Sequence, residues 1–223
     1  MGIHDGHRER LKKTFLENGL GSMHDVNALE LLLFYAVSRR DTNELAHALL
    51  NRFGSLDGVF HASVQELTEI PGIGEHTAIL LTLLPQIIKK SAVSRTNSIR
   101  QINSTRDAGE FFVPRLADEQ DEIVLMMCLD SRRSVICCCE MGRGVVNNVS
   151  INTRRVVEKA LKAKASSVIL SHNHPRGLAY PSREDEQVTK NLYNALEIVG
   201  IRLEDHIIVA EGDYFSMADG EML

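Results

Sequence analysis

Long apolar segments are missing from this sequence. Hydrophobic residues make up 43% of its 223 residues, yet no apolar run approaches the roughly 18 residues that a membrane-spanning helix needs. The first segment, Met1–Lys13, carries too many charged side chains to resemble a secretory signal peptide. We therefore expect a globular protein of the cytoplasm that makes no membrane contact.

Tryptophan and cysteine are also scarce. The chain has no tryptophan and four cysteines, Cys128 and the consecutive Cys137, Cys138 and Cys139. Consecutive residues of a strand point to alternate faces, so these three cannot all reach one metal ion. Since no C-x-x-C spacing is present either, we interpret the cysteines as reduced apolar residues.

A strong excess of positive charge is absent as well. The formal net charge is -5 at pH 7. Residues 1–100 hold 11 basic and 11 acidic side chains, and residues 101–223 hold the remaining 14 and 19. Because affinity for nucleic acid comes largely from neutralised phosphates, neither half is predicted to bind nucleic acid strongly.

Helical periodicity dominates the first half. Residues 91–104, which follow the apolar helical segments, are polar and lack a sustained apolar face. This pattern is typical of a linker. We predict a small helical bundle over residues 1–100. The apolar positions recur at helical spacing in residues 28–33, 45–50 and 79–88.

The second half alternates between strand and helix patterns. We predict the fold class α/β (α+β), in which a helical bundle precedes a domain of residues 101–223 with a mixed sheet flanked by helices. The predicted strands are residues 122–130, 134–140, 167–171 and 201–210, and the predicted helices are residues 105–112, 153–165 and 182–199.

The segment Ser171–Asp185 carries the densest group of chemically active side chains. His172 and His174 are two residues apart at the end of a predicted strand, so both can face one ion. A loop containing proline and glycine follows, and Asp185 falls in the first turn of the next predicted helix. Two imidazoles and one carboxylate leave a fourth tetrahedral position for water, as in a catalytic zinc site.

Each of these residues also has an ordinary structural explanation. Ser182 is a typical helix cap, and the helix dipole favours an acid such as Asp185 in the first turn. The joint occurrence of H-x-H, a loop with proline and glycine, and S-x-x-D favours the metal site.

The order H-x-H, seven residues, S-x-x-D resembles the metal motif of the JAMM (MPN-type) metalloproteases. Its surroundings, together with residues 6–11, 50–56 and 205–209, resemble the bacterial RadC-like family over essentially the whole chain. This resemblance implies a Zn²⁺ ion held by His172, His174 and Asp185.

The resemblance also implies catalytic roles for Ser182, which would orient or stabilise the oxygen that becomes negative, and for an upstream glutamate as general base. Glu140 is the natural candidate, since it ends a predicted strand. The family pattern places the acid at Cys139, however, and one step along a strand turns a side chain to the other face. Either a β-bulge restores Glu140 to the site, or the base is displaced and Glu140 is an exposed acid.

Two further groups are interpreted as structural. Asp205 and His206 are expected to form a hydrogen-bonded pair on a strand, and His4 and His7 to lie in a solvated segment. The segment Ile70–Ala78 resembles a helix-hairpin-helix connection, whose glycines let backbone N–H groups approach a DNA phosphate.

Three functions are consistent with these patterns. The leading hypothesis is a zinc-dependent hydrolase that cleaves a peptide or isopeptide bond of a peptide or protein substrate. The second is a DNA-associated repair or replication factor with weak, non-specific DNA binding through Pro71–Gly74 and a structural or regulatory metal domain. Glu75 and His76 stand where a basic residue would strengthen such binding, so Pro71–Gly74 is also consistent with a tight turn. The third is a scaffold that binds peptide ends.

Overall fold

The computed structural model describes residues 3–38, 41–144 and 151–223. These residues form two compact units that divide between Ile88 and Lys89. Within this described part of the chain, no helix is long and apolar enough to cross a membrane.

The first unit is a bundle of short helices, as predicted. Their buried faces supply a core that includes Leu29, Leu33, Leu49, Leu67 and Leu81, which is the burial expected of amphipathic helices. The helices are α1 (Ile3–Asn18), α2 (Asp25–Leu33), α3 (Thr42–Phe53), α4 (Leu56–His61), α5 (Val64–Thr68) and α6 (Glu75–Thr96).

Local signals set several helix ends. The Asp41 carboxylate accepts a hydrogen bond from the Asn43 N–H at 2.9 Å and caps α3, and Gly54 ends this helix with a φ of 83°. The first residues of the predicted linker are helical instead, because α6 continues to Thr96. These residues include good helix formers and no proline or glycine, so the helix propagates without a continuous apolar face.

The connection between α5 and α6 is a tight hairpin. Ile70 and Ile73 are buried in the core, and Gly72 has a φ of 101°, a conformation that side chains disfavour. Glu75 and His76 at the start of α6 are exposed. DNA binding through Pro71–Gly74 stays a prediction.

The second unit contains a mixed sheet, as predicted, and this sheet has five strands. The strand order is β2-β1-β3-β4-β5, and every neighbouring pair is antiparallel except β3 with β4. The short β5 was not predicted, because four residues are too few to establish alternation. The strands are β1 (Glu122–Leu129), β2 (Val135–Gly144), β3 (Ser167–Asn173), β4 (Arg202–Ala210) and β5 (Asp213–Ser216).

Helices cover both faces of this sheet. One face, which we call the two-helix face, packs Val124, Met126 and Leu170 against helices α8 (Thr153–Lys162) and α9 (Arg183–Ile198). On the opposite face, which we call the α7 face, strand residues such as Ile169 pack against α7 (Thr105–Leu116). These residues form a second apolar core. Because strand side chains alternate, the pairing register tells which face a residue occupies.

The consecutive cysteines follow this alternation. Cys139 pairs with Met126 of the two-helix face, and Cys138 pairs with Met127 of the α7 face. Burial raises the pKa of the Cys138 thiol to about 12. These side chains therefore pack as apolar groups on different faces and do not converge on one ion.

A buried carboxylate joins the first three helices. Glu30 of α2 is only 1% exposed, and its two oxygens contact His7 Nε2 and Asn43 Nδ2, each at 3.0 Å. His7 keeps a 42% exposed side chain, as expected for a solvated segment, but its ring also satisfies a buried acid. The side chain of His4 lies outside the described residues.

Replacing His7 with alanine should destabilise the first unit by about 1–3 kcal/mol, because Glu30 loses one of its two partners while buried. Urea unfolding of the full chain, followed by circular dichroism, measures this change. The matched control is H47A, which removes an exposed histidine from α3. Equal stabilities of H7A and H47A would show that the contact contributes nothing.

Candidate metal centre

Three donor atoms converge where β3 ends and α9 begins. His172 Nε2 lies 3.0 Å from His174 Nε2 and 3.2 Å from Asp185 Oδ1. His174 Nε2 lies 3.4 Å from Asp185 Oδ2. The two distances to Asp185 run to different oxygens of its carboxylate. With one atom from each side chain, the three donors lie within 4.8 Å of one another and could hold a metal ion, and a tetrahedral zinc ion with bonds of 2.0–2.1 Å separates its ligand atoms by about 3.3 Å. Among the described residues, no other group of three or more His, Cys, Asp or Glu side chains could hold a metal.

Strand alternation places the two histidines. His172 pairs with Val124 and lies on the two-helix face, and the His174 N–H donates to the Val209 carbonyl at 2.8 Å, which extends the strand pattern by one residue. The intervening Asn173 therefore points to the other face. The H-x-H spacing thus directs both imidazoles to one side, as predicted.

The ring of His174 is oriented by its own loop. Its Nδ1 lies 3.0 Å from the carbonyl oxygen of Leu178. A carbonyl oxygen only accepts hydrogen bonds, so Nδ1 carries the hydrogen and Nε2 keeps its lone pair for a cation.

Ser182 and Asp185 form a capping box at the start of α9. Asp185 Oδ2 accepts from the Ser182 N–H at 2.8 Å and from its hydroxyl at 2.6 Å, and Ser182 Oγ accepts from the Asp185 N–H at 3.1 Å. Asp185 therefore both caps α9 and lies beside the two histidines. The cap fixes the carboxylate so that Oδ1 faces His172.

The electrostatics of the group keep Asp185 ionised. Burial alone raises the pKa of the Asp185 carboxyl, but the rings of His172 and His174, which donate to the carboxylate when they are protonated, outweigh burial and lower this pKa far below its usual range. The same hydrogen bond with Asp185 raises the pKa of His174 above its usual value, and the charge of Glu122 adds to this shift.

The structure does not bring Glu140 to this group. Glu140 pairs with Leu125, whose side chain packs into the α7 face, and its carboxylate lies 3.3 Å from Arg143. A β-bulge is present in β2, but its extra residue is Met141, which packs into the two-helix face. Glu140 therefore points away from the histidines and is an exposed acid within β2, which continues to Gly144 instead of ending at Glu140 as predicted.

Another acid, Glu122, lies on the side of the histidines. Glu122 stands two residues before Val124, the partner of His172, so strand alternation places it on the two-helix face. Its charge contributes to the raised pKa of His174. An acid at the start of a predicted strand is visible in the sequence, but the antiparallel pairing of that strand with β3 is not.

Asn173 fixes the backbone on both sides of Glu122. Its Oδ1 accepts from the Ile123 N–H at 2.7 Å, and its Nδ2 donates to the carbonyl oxygens of Glu119 and Asp121 at 3.2 and 3.0 Å. The residue between the two histidines therefore holds the segment that carries the neighbouring acid.

Asp205 and His206 act on different faces. The Asp205 carboxylate accepts from Ser216 Oγ at 2.6 Å and from the backbone N–H groups of His206 and Ala218 at 2.7 and 3.0 Å. The His206 ring instead contacts His172 Nδ1 at 2.9 Å. Burial, followed by the charge of His172, lowers the pKa of His206 to about 3. The predicted structural role fits Asp205. His206 instead contacts His172, a candidate metal ligand.

Comparison with known proteins agrees with this architecture. A family model described as RadC-like JAB domain matches residues 102–222, and one described as UPF0758 N-terminal matches residues 4–79. The chain belongs to the RadC-like JAB domain family. The predicted RadC-like resemblance is thereby confirmed, and both halves of the RadC-like chain are covered.

Two curated relatives match nearly the whole RadC-like chain. A UPF0758 protein of Bordetella petrii is 36% identical over 211 residues, which cover 95% of this chain and 94% of that protein. A UPF0758 protein of Methylibium petroleiphilum is 33% identical over 214 residues, which cover 96% of each chain. The similarity thus includes the helical unit as well as the sheet.

Removing the Ser182 hydroxyl should weaken zinc binding by about tenfold, because Asp185 loses a partner that orients its carboxylate. The measurement is a competition titration of S182A with a chromophoric zinc chelator. S104A is a matched control, since Ser104 and Asp107 form a capping box on α7. Both variants should lose about 1 kcal/mol of stability. Equal zinc affinities in S182A and S104A would contradict the orienting role.

Proposed function

We propose that this RadC-like protein is a zinc-dependent hydrolase of the JAMM type that cleaves a peptide or isopeptide bond. The convergence of donor atoms from His172, His174 and Asp185 within 4.8 Å of one another carries this proposal. Two imidazoles with one carboxylate suit zinc better than magnesium or calcium, which prefer oxygen ligands.

The three donors would hold the ion and leave its fourth tetrahedral position open. When bound, zinc supplies a Lewis acid that polarises a carbonyl oxygen and lowers the pKa of a coordinated water towards about 7. His172 is buried and His174 is partly exposed, so a substrate would approach the centre from the side of His174.

Glu122 is the group that we propose as general base. It is a partly exposed carboxylate on the face of the histidines, and Asn173 holds the backbone on both sides of it. In this position its carboxylate would accept a proton from the attacking water and relay it to the leaving amine, which is the usual task of a general base in amide hydrolysis.

Ser182 is better suited to hold Asp185 than to contact substrate. A hydroxyl has one hydrogen, and Ser182 donates it to Asp185 Oδ2 at 2.6 Å. No hydrogen is then left for a developing oxyanion. We therefore assign Ser182 an orienting role rather than oxyanion stabilisation.

The surroundings of the centre suit a peptide chain. Leu178, whose carbonyl orients His174, has an 80% exposed side chain, and Tyr180 is 57% exposed beside Phe215. Exposed apolar side chains next to polar catalytic groups are typical of a binding site for a peptide with apolar residues.

The protein should bind one equivalent of zinc after treatment with a chelator, as measured by titration calorimetry. H174A should lose this binding, because a two-ligand site holds zinc far more weakly. H76A, which removes an exposed histidine from α6, serves as the control and should bind like the wild type. A wild-type protein that takes up no zinc would overturn the proposed function.

E122Q should lower peptide hydrolysis by about 10²–10⁴-fold, the usual contribution of a general base, with zinc binding retained. The assay uses the zinc-loaded protein with a mixed-sequence library of quenched fluorescent peptides, with products read by mass spectrometry. E140Q is the control and should keep wild-type activity, since Glu140 points to the other face. The base assignment is wrong if E140Q loses activity and E122Q does not. No cleavage by the wild type would contradict the proposed activity on peptides.

A further inference from the structure

A chain of hydrogen bonds leads from the metal centre through three buried side chains. His172 Nδ1 lies 2.9 Å from His206 Nε2, and His206 Nδ1 lies 2.6 Å from Thr189 Oγ1. Thr189 Oγ1 in turn lies 2.6 Å from the backbone carbonyl oxygen of Asp185. His172, His206 and Thr189 are each at most 1% exposed. The chain therefore begins at the ring of one candidate ligand and ends on the backbone of another.

The direction of the hydrogen bond between Thr189 and the Asp185 carbonyl oxygen is fixed. A carbonyl oxygen only accepts, and a hydroxyl has one hydrogen, so Thr189 donates to Asp185. The sulfur of Met217 lies 3.6 Å from the same hydroxyl, but a thioether is a weak acceptor and does not compete at that distance. Thr189 Oγ1 is then left as an acceptor, and His206 Nδ1 must carry the hydrogen that it accepts.

The hydrogen on His206 Nδ1 also determines the tautomer of His172. A neutral imidazole carries one N–H and one lone pair, and the complete burial of His206 favours the neutral ring over the charged one. With the hydrogen on Nδ1, His206 Nε2 can only accept, so the hydrogen between the two rings belongs to His172 Nδ1. His172 Nε2 consequently keeps its lone pair and directs it towards His174 and Asp185.

The reverse direction is incompatible with these contacts. If Thr189 donated to His206, its oxygen would face the Asp185 carbonyl oxygen at 2.6 Å without a hydrogen between them. The hydrogens would then lie on Nε2 of both His206 and His172. A hydrogen on His172 Nε2 would occupy the place of a cation.

We propose that His206 and Thr189 are positioning residues that hold His172 in the tautomer whose Nε2 can bind a metal ion. Such partners of a ligating histidine fix both its tautomer and its ring orientation. The inference rests on the proposed function of the site as a metal centre. It extends that function to a residue of α9, Thr189, and a residue of β4, His206, which contact no metal or substrate.

The tautomers can be read directly in the full-length protein. Long-range ¹H–¹⁵N spectra of uniformly labelled protein at pH 8, recorded without metal and with one equivalent of zinc, distinguish a protonated Nδ1 from a protonated Nε2. We expect Nδ1-protonated rings for both His172 and His206 in both samples. An Nε2-protonated His206, or a zinc-loaded His172 bound through Nδ1, would overturn the proposal.

Variants of Thr189 test the consequence for metal binding. T189V removes the hydroxyl and should lower zinc affinity by about 10–100-fold, with a mixture of His206 tautomers, whereas T189S keeps the hydroxyl and should restore both. The control T14V removes an exposed hydroxyl that bonds to the carbonyl four residues before it, as Thr189 does, and should change neither readout. A T189V protein with wild-type zinc affinity would overturn the proposal.

The two proposals fail in distinguishable ways. If T189V does not fold, the wild-type spectra and the T189S titration still decide the role of Thr189. A wild type that binds no zinc but shows the expected tautomers contradicts the metal centre alone. A wild type that binds zinc with the opposite His206 tautomer contradicts only the positioning chain.

Discussion

The close approach of two imidazole nitrogens to one carboxylate is the constraint that organises the second unit. Atoms with lone pairs facing one another at 3.0–3.4 Å are stable only when a cation or a shared proton lies between them. Strand β3 supplies two of these atoms from one face, and the capped first turn of α9 supplies the third. The position of α9 against the sheet is therefore part of the centre, since a shift of this helix by one turn would remove Asp185.

The alternation of side chains assigns different tasks to neighbouring residues. On β3, His172 belongs to the two-helix face while Asn173 bonds to the backbone around Glu122. On β4, His206 contacts His172 while the adjacent Asp205 holds the turn after β5. This division explains why two adjacent polar residues have different tasks on opposite faces of the sheet. It also places Glu140 and Glu122 on opposite faces of the sheet, with only Glu122 on the face of the histidines.

The sequence predicted the elements and the donor set better than it predicted their neighbours. H-x-H and S-x-x-D are local patterns whose geometry follows from strand alternation and helix capping, so their convergence could be predicted. The role proposed for Glu122 depends on the pairing of β1 with β3, a contact between residues about fifty positions apart that no local pattern encodes. The contact of His7 with Glu30 is non-local in the same way. For Glu140 the sequence left two alternatives open, and the bulge does not turn its side chain towards the histidines, because the extra residue is Met141.

The position of the polar residues on α9 would link the proposed metal binding to the folding of the second unit. Ser182, Asp185 and Thr189 lie at the start of α9 and in its first two turns, and each contacts the centre or the chain of hydrogen bonds behind it. Because the donors converge only when α9 is packed on the two-helix face, the free energy of metal binding should also stabilise that packing. Buried polar groups behind a ligand raise the cost of a misplaced helix, since each would lose its partner inside the core. The same hydrogen bonds that orient His172 thus also specify where α9 packs on the sheet.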